Sequence, residues 1–169
     1  ANTTYNFNFG NSISDVHEGN PAAGLRIIFS TGNYLDSLTL KGKIIDAYSN
    51  KPCADCSVYL YENGKDSCMY QDKPDYYAKA NAEGNYQVDY LKKSTYRVLA
   101  IADKNKNFLL DANDETACPI YDGNGLMELY QNKAADFSVY KQEPEQLYIK
   151  RTLFPAYGKV SFVLNKTAV

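Results

Sequence analysis

The densest group of side chains that could do chemistry lies between residues 103 and 115. Oxygen-bearing side chains stand at alternate positions at its start and recur toward its acidic end: Asp103, Asn105, Asn107, Asp111, Asp114 and Glu115. A hard cation such as calcium takes about six to eight oxygen ligands, and a loop with a ligand at every second residue can wrap around it. The pattern therefore predicts a calcium-binding loop. The alternative is a plain turn, since Asn and Asp side chains bond their own backbone and tolerate left-handed conformations.

This loop is not an EF-hand. Glycine occupies the sixth position of an EF-hand loop, whereas Phe108 stands there when Asp103 is counted as the first position. An EF-hand loop also follows a helix, whereas the apolar run Val98–Ala102 predicts a strand. We therefore expect a calcium loop at the end of a strand.

Four cysteines offer a second kind of chemistry: Cys53, Cys56, Cys68 and Cys118. Cys53 and Cys56 have the spacing of a redox motif or a zinc knuckle. A redox motif of this kind sits between a strand and a helix, and the sequence predicts no helix here. A strong zinc pattern needs a second close pair, which Cys68 and Cys118 do not form. Disulfides or buried free thiols are favoured over zinc, and the pairing stays open.

Enzyme signatures are missing from the chain. His17 is the single histidine and lies in a polar segment, so a zinc site built from histidines is excluded and a catalytic triad has no context. Gly123-Asn124-Gly125 lacks the lysine and the helix that follow a phosphate-binding loop. Glycoside hydrolysis would need two carboxylates close together in a cleft, and we expect none. The sequence predicts a protein that is not an enzyme.

The charge pattern excludes two classes of partner. The net charge is -2, whereas a nucleic-acid-binding domain needs a basic face. No basic run exceeds two residues, so an anionic membrane surface is equally unsupported. No apolar stretch approaches the length of a transmembrane helix.

Tyrosine is unusually frequent, with 16 copies and no tryptophan. Aromatic rings that lie side by side and exposed can stack on sugars, and five tyrosines are candidates for such a platform: Tyr59, Tyr61, Tyr76, Tyr77 and Tyr86. The alternative is that these rings pack the sheets and cover their edges. The even spread of tyrosine along the chain favours the alternative.

Nearly every segment that could position these groups has the period of a strand. Apolar residues alternate with polar ones over short runs that end in turn residues. The runs are residues 5–9, 25–31, 37–47, 57–62, 76–80, 86–90, 96–103, 136–140, 147–154 and 159–164. This spacing predicts an all-β protein, an antiparallel β-sandwich.

A resemblance refines that prediction. Five segments carry it: Leu40–Ala47, Lys51-Pro52, Ser57–Tyr61, Ala82–Tyr86 and Thr95–Ala100. Together they resemble the carboxypeptidase regulatory-like, or transthyretin-like, β-sandwich family, which is akin to the Cna B-type repeats of surface proteins. The chain departs from that family at Asp55-Cys56, where a small apolar residue is usual, and at Ser94, where glycine is usual.

The segment before this block resembles a second family. Thr3–Gly32, with its ending Phe29-Ser30-Thr31-Gly32, is similar to the closing strands of a bacterial Ig-like domain in Bacteroidetes surface lipoproteins. The two resemblances imply three parts: residues 1–35 as Ig-like strands, residues 36–115 as a transthyretin-like β-sandwich, and residues 116–169 as a β-rich extension. Because the chain begins close to its first strand without an export signal, we expect a processing site or a cut from a longer protein.

The resemblances imply an exported protein of the cell surface or outer membrane. We expect a non-catalytic structural or interaction module, stabilised by calcium, whose partners are other domains of the same protein or other cell-envelope proteins. The alternative is a glycan-binding module of a polysaccharide-uptake system. A coplanar group of exposed tyrosines would favour the alternative, and scattered, buried tyrosines would favour the structural module.

Overall fold

A computed structural model describes residues 2–9, 12–22, 25–62, 64–111, 117–119, 125–141 and 148–164. These residues form thirteen strands and one short helix. The elements are β1 Thr4–Asn8, β2 Arg26–Ser30, β3 Leu38–Asp46, β4 Ser57–Glu62, α1 Cys68–Gln71, β5 Tyr76–Lys79, β6 Asn85–Leu91, β7 Ser94–Ile101, β8 Ala117–Pro119, β9 Met127–Leu129, β10 Lys133–Ala134, β11 Phe137–Val139, β12 Ile149–Ala156 and β13 Lys159–Leu164. The prediction of an all-β sandwich is confirmed.

The first sheet of the sandwich is built around β3. Strand β6 pairs with β3 antiparallel, and the short strands β10 and β11 pair with it in parallel. Gly42 permits the close approach of the chain on that side, because a Cβ atom at this position would lie 1.8 Å from the Ala135 carbonyl oxygen. The alternation along β3 buries Leu40 and Ile44 on one face.

The second sheet has the order β5-β4-β7-β8, and β9 also pairs with β7. Strand β4 directs Val58 and Leu60 into the sandwich and its two tyrosines to the other face, as its alternation predicted. Residues 96–101 of β7 are buried on both faces, as is typical of a central strand.

Residues 81–85 form a turn between β5 and β6, but the prediction that this turn closes a hairpin is wrong, because β5 pairs with β4 and β6 pairs with β3 in the other sheet. The Asn81 side-chain oxygen accepts hydrogen bonds from the backbone N–H groups of Glu83 (3.0 Å) and Asn85 (2.9 Å). Gly84 follows with a positive φ of 79°, which glycine adopts without steric cost. Asparagine and glycine here therefore hold the turn that carries the chain from the second sheet to the first.

The main core fills the space between the two sheets. Its largest buried side chains come from β3, β4, β6, β7, β9 and β11: Leu40, Ile44, Leu60, Leu91, Tyr96, Leu129 and Phe137. Two buried tyrosine hydroxyls donate hydrogen bonds to main-chain carbonyl oxygens: Tyr86 to Ala135 (2.7 Å) and Tyr96 to Lys92 (2.7 Å). The strands on either side of residue 115 thus contribute to one core.

A second, smaller core lies on the outer face of the second sheet. Tyr59, Tyr61, Leu99 and Ile101 point outward from β4 and β7. The helix α1 covers them with Cys68 and Met69, and the loop after β7 covers them with Phe108 and Leu110. The sequence did not predict this helix or this cover.

Two hairpins complete the described chain. The pair β1–β2 is attached to the sandwich by a hydrogen bond from Thr4 to Asp36 (2.8 Å) and by an ion pair between Arg26 and Asp89 (3.6 Å). The pair β12–β13 forms a two-stranded sheet of its own. Among the described residues, no helix has the length and apolar character needed to cross a bilayer.

Candidate functional site

The candidate calcium loop begins where β7 ends and folds back over the outer core. The Phe108 ring packs against Tyr59 and Tyr77, with ring centroids 6.0 Å and 5.3 Å away. The backbone N–H of Leu110 donates to the Met69 carbonyl oxygen in α1 (2.7 Å). The loop is therefore anchored to two other elements by apolar packing and by a main-chain hydrogen bond.

Asp103 organises the first turn of the loop. Its carboxylate accepts hydrogen bonds from the backbone N–H groups of Lys106 (2.7 Å) and Phe108 (2.9 Å). The Tyr59 hydroxyl donates a third hydrogen bond to it, at 2.8 Å. Asp103 thus joins the loop to a tyrosine that lies 44 residues earlier in the chain.

Three further predicted residues meet in this loop. The side-chain amides of Asn105 (2.6 Å) and Asn107 (3.0 Å) both donate to one carboxylate oxygen of Asp111. The amide oxygens of the two asparagines accept backbone N–H groups two residues further on, at 2.9 Å and 2.7 Å. The structure thus brings Asn105, Asn107 and Asp111 into direct contact, in the loop whose turn Asp103 holds.

The backbone of the loop adopts a left-handed conformation at the position where an EF-hand loop has glycine. Phe108, at the sixth position, has φ 65°, and Lys106 has φ 59°. A left-handed conformation costs a residue with a side chain about 1–2 kcal/mol. The contacts of the Phe108 ring with Tyr59 and Tyr77 offset that cost. The absence of glycine at this position therefore does not prevent the turn.

The donor set fits a hard cation in its chemistry. Asp103, Asn105, Asn107 and Asp111 offer carboxylate and amide oxygens, the ligands that calcium prefers. Asp114 and Glu115, the two predicted acidic residues at the end of the loop, lie outside the described residues. Within the described part, no three His, Cys, Asp or Glu side chains assemble into a metal-binding group. Asn105 and Asn107 do not count toward such a group, because it is defined by His, Cys, Asp and Glu side chains.

The cysteines are divided between the two cores. Cys53 and Cys56 form a disulfide with a Cα–Cα distance of 5.4 Å, and Cys56 is fully buried in the main core. Cys68 is a buried free thiol in the outer core, and its burial raises the pKa of the thiol. A raised pKa leaves the thiol protonated and unreactive. The side chain of Cys118 lies outside the described residues.

The five tyrosines proposed as a sugar platform do not share an exposed face. Tyr59, Tyr61 and Tyr86 are buried, Tyr76 is half-buried, and Tyr77 is exposed. They are also divided between the sheet faces, because Tyr76 and Tyr86 pack on the main core, whereas Tyr59 and Tyr61 belong to the outer core. Burial raises the pKa of both Tyr61 and Tyr86.

The sequence did not predict two buried polar groups in the outer core, the Arg97 guanidinium and the Tyr61 hydroxyl. The Arg97 guanidinium, enclosed beside Cys68, donates to the Gly64 carbonyl oxygen (3.2 Å) and forms an ion pair with Asp66 (2.5 Å). The Tyr61 hydroxyl is buried and has no hydrogen-bond partner among the described residues. Arg97 interrupts an apolar strand, which is the single local hint that its neighbourhood is special.

Comparison of the chain with protein-family models, with curated proteins and with solved structures finds no match in any of the three. The structure itself shows a β-sandwich with an oxygen-rich loop packed on the outer face of its second sheet.

Proposed function

We propose that the chain is a non-catalytic structural or interaction module of an exported cell-envelope protein, at the cell surface or outer membrane. In this proposal its partners are other domains of the same protein or neighbouring envelope proteins, and calcium bound by the loop after β7 stabilises it. The observation that carries the proposal is the convergence of Asn105, Asn107 and Asp111 in a loop that is packed onto the sandwich.

The loop is placed where bound calcium would stabilise the fold. Asp103 is hydrogen-bonded to Tyr59, and Phe108 covers the same ring, so the conformation of the loop and the packing of the outer core depend on each other. In the proposal Asp103, Asn105, Asn107, Asp111, Asp114 and Glu115 hold the cation. A cation that binds only the folded state raises the free energy of unfolding by RT ln(1 + [Ca]/Kd), about 1.4 kcal/mol at ten times Kd.

The burial of the tyrosines favours this proposal over the glycan-binding alternative. A sugar platform needs several exposed rings side by side, and of the five candidates Tyr77 is the exposed one. Its ring stands edge-on to Tyr59 and to Phe108, with interplanar angles of 83° and 72°. These rings pack the outer core and do not offer a flat stacking surface.

A thermal melt of the metal-stripped protein tests the calcium component. Millimolar calcium is expected to raise the midpoint by about 3–6 °C, and magnesium is expected to raise it much less. Asp111→Asn removes one charge with little change in volume and should abolish the rise. The matched control is Asp46→Asn, because Asp46 also organises a turn, by accepting the Ser49 backbone N–H at 2.8 Å.

Three results would decide the matter. A calcium-specific rise that Asp111→Asn removes and Asp46→Asn keeps supports the site. If magnesium raises the melting midpoint as much as calcium does, or if the calcium-dependent rise persists in Asp111→Asn, the cation does not act through this loop. No rise with calcium sinks the calcium component, and the loop is then a turn that covers the outer core.

A further inference from the structure

The two cysteines of the disulfide differ in their access to solvent. Cys56 is 0% exposed and belongs to the main core. Cys53 is half-buried and packs against the edge of that core. Between them, Ala54 is half-buried, and the side chain of Asp55 is 96% exposed. Solvent therefore reaches this disulfide from the side of Cys53.

Main-chain hydrogen bonds hold both cysteines in place independently of the disulfide. The backbone N–H of Cys53 donates to the Ile44 carbonyl oxygen in β3 (3.0 Å), and the Cys56 carbonyl oxygen accepts the Ala80 N–H (2.9 Å). The sequence separation of the two cysteines is 3, and disulfides that close short loops contribute least to the folded state. Since opening the S–S bond removes none of these hydrogen bonds, the fold tolerates an opened disulfide.

Access decides which sulfur a thiol can attack. In thiol–disulfide exchange, a thiolate attacks one sulfur of the disulfide and expels the other. Cys56 is closed to attack in the folded chain because it is fully buried, so the attack falls on Cys53. Cys56 is then expelled into the main core. A buried free cysteine behaves there as a small apolar side chain once it has taken up a proton.

Exchange at Cys53 does not need a helix beside the cysteines. A catalytic redox cysteine needs a lowered pKa, which a helix N-terminus or a neighbouring cation provides. Here the nucleophile is the thiolate of the attacking molecule, and Cys53 only accepts the attack. The absence of a predicted helix therefore argues against a redox catalyst but not against a site of modification.

We infer that Cys53 is the site at which the folded chain forms a mixed disulfide with a low-molecular-weight thiol. The thiol loses its proton, and its sulfur bonds to Cys53 as the bond between Cys53 and Cys56 breaks. Cys56 leaves as a thiolate and takes up a proton. One thiol and one disulfide are consumed and one of each is formed, so the step has no net oxidation or reduction. The inference does not depend on calcium binding.

Incubation of the folded chain with excess reduced glutathione tests the inference. The reaction is stopped with acid, free thiols are alkylated in denaturant, and mass spectrometry of proteolytic peptides locates each group. We expect glutathione on Cys53 and the alkyl group on Cys56. Because Cys56 is buried, alkylation without denaturant should leave it unmodified.

Two matched variants measure the access of each sulfur separately. Cys56→Ala leaves Cys53 as a free thiol, and Cys53→Ala leaves Cys56. Glutathione disulfide converts a free thiol to the same mixed disulfide and releases glutathione. At a temperature where a thermal melt shows both variants folded, Cys53 should react at least about tenfold faster than Cys56, since exposure governs the rate. Cys68 is the internal control, because this buried free thiol reacts only when the chain unfolds.

The inference is overturned if excess glutathione leaves the disulfide intact, or if the adduct forms on Cys56 as readily as on Cys53. It is also overturned if Cys53 in the folded Cys56→Ala chain reacts no faster than Cys68, because the site would then open only through unfolding. If neither variant has a temperature at which it is folded, the position of glutathione on the unsubstituted chain decides the matter.

Discussion

Replacement of Phe108 by glycine should leave a more stable protein than replacement by alanine. Both changes delete the ring that covers Tyr59 and Tyr77, so both lose the same packing. They differ at the backbone, because Phe108 has φ 65°, where alanine is strained and glycine is not. The difference in the free energy of unfolding between the two variants therefore reports the strain of the left-handed backbone, because the loss of ring packing is the same in both.

The expected magnitudes follow from the structure. Full burial of a phenylalanine side chain contributes about 1.5–3 kcal/mol, and Phe108 is half-buried, so Phe108→Ala should cost about 1–1.5 kcal/mol. Compared with alanine, glycine avoids about 1–2 kcal/mol of left-handed strain in the folded state. It also lowers the free energy of unfolding by about 0.4–1 kcal/mol, because the unfolded chain has more conformational entropy with glycine. Phe108→Gly should therefore be the more stable of the two variants by about 1 kcal/mol.

Urea unfolding of both variants measures the difference, and Leu109 supplies the control. Leu109 is half-buried next to Phe108 but does not have a positive φ, so there the alanine variant should be the more stable by about 0.4–1 kcal/mol. The order of alanine and glycine should thus reverse between adjacent positions. Equal stabilities at Phe108, or the same order at both positions, would refute the left-handed turn.

Two further predictions concern the cores. Reduction of the disulfide between Cys53 and Cys56, whose sequence separation is 3, should lower the free energy of unfolding by about 2 kcal/mol, because a short loop is released in the unfolded chain. Urea unfolding with and without dithiothreitol measures this, and a double alanine variant should not respond to the reductant. Tyr61→Phe removes a buried hydroxyl without a partner and should be neutral or stabilising by up to about 1 kcal/mol. Tyr86→Phe removes a hydroxyl that donates to a main-chain carbonyl and should destabilise by about 1 kcal/mol; equal losses at the two positions would contradict this account.

The features that the sequence predicted well are those that local patterns determine. The alternation in β4 predicted which side chains face the main core, and the residues Asn81–Asn85 predicted a turn between β5 and β6, although not that the two strands belong to different sheets. Both depend on residues a few positions apart. Within the candidate site, Asn105, Asn107 and Asp111 lie in contact in one loop, and the calcium binding predicted from their spacing stays a prediction.

The features that the sequence missed depend on distant pairing. The strand β10 is two residues long, so its own residues carry almost no strand pattern, and the run at residues 136–140 predicted β11 but not its parallel pairing with β3. The helix α1 has four residues, too few for helical periodicity to be visible. Its role is clear only when it covers the outer face of β4 and β7. Nothing near Asp103 indicates that Tyr59 would be its partner.

This coupling between loop and core decides which substitutions can test the calcium loop. Asp103 would be a natural choice, since it is the first predicted ligand, but its carboxylate also holds Tyr59 and two backbone N–H groups. Its replacement would disturb the outer core even if no cation ever binds. Asp111 accepts two side-chain amides from within the loop, and Asp111→Asn removes its charge with little change in volume, so this substitution separates the two effects better. A loss of stability that is equal with and without calcium in Asp103→Ala would report packing, and a loss confined to the calcium-loaded protein in Asp111→Asn would report the cation.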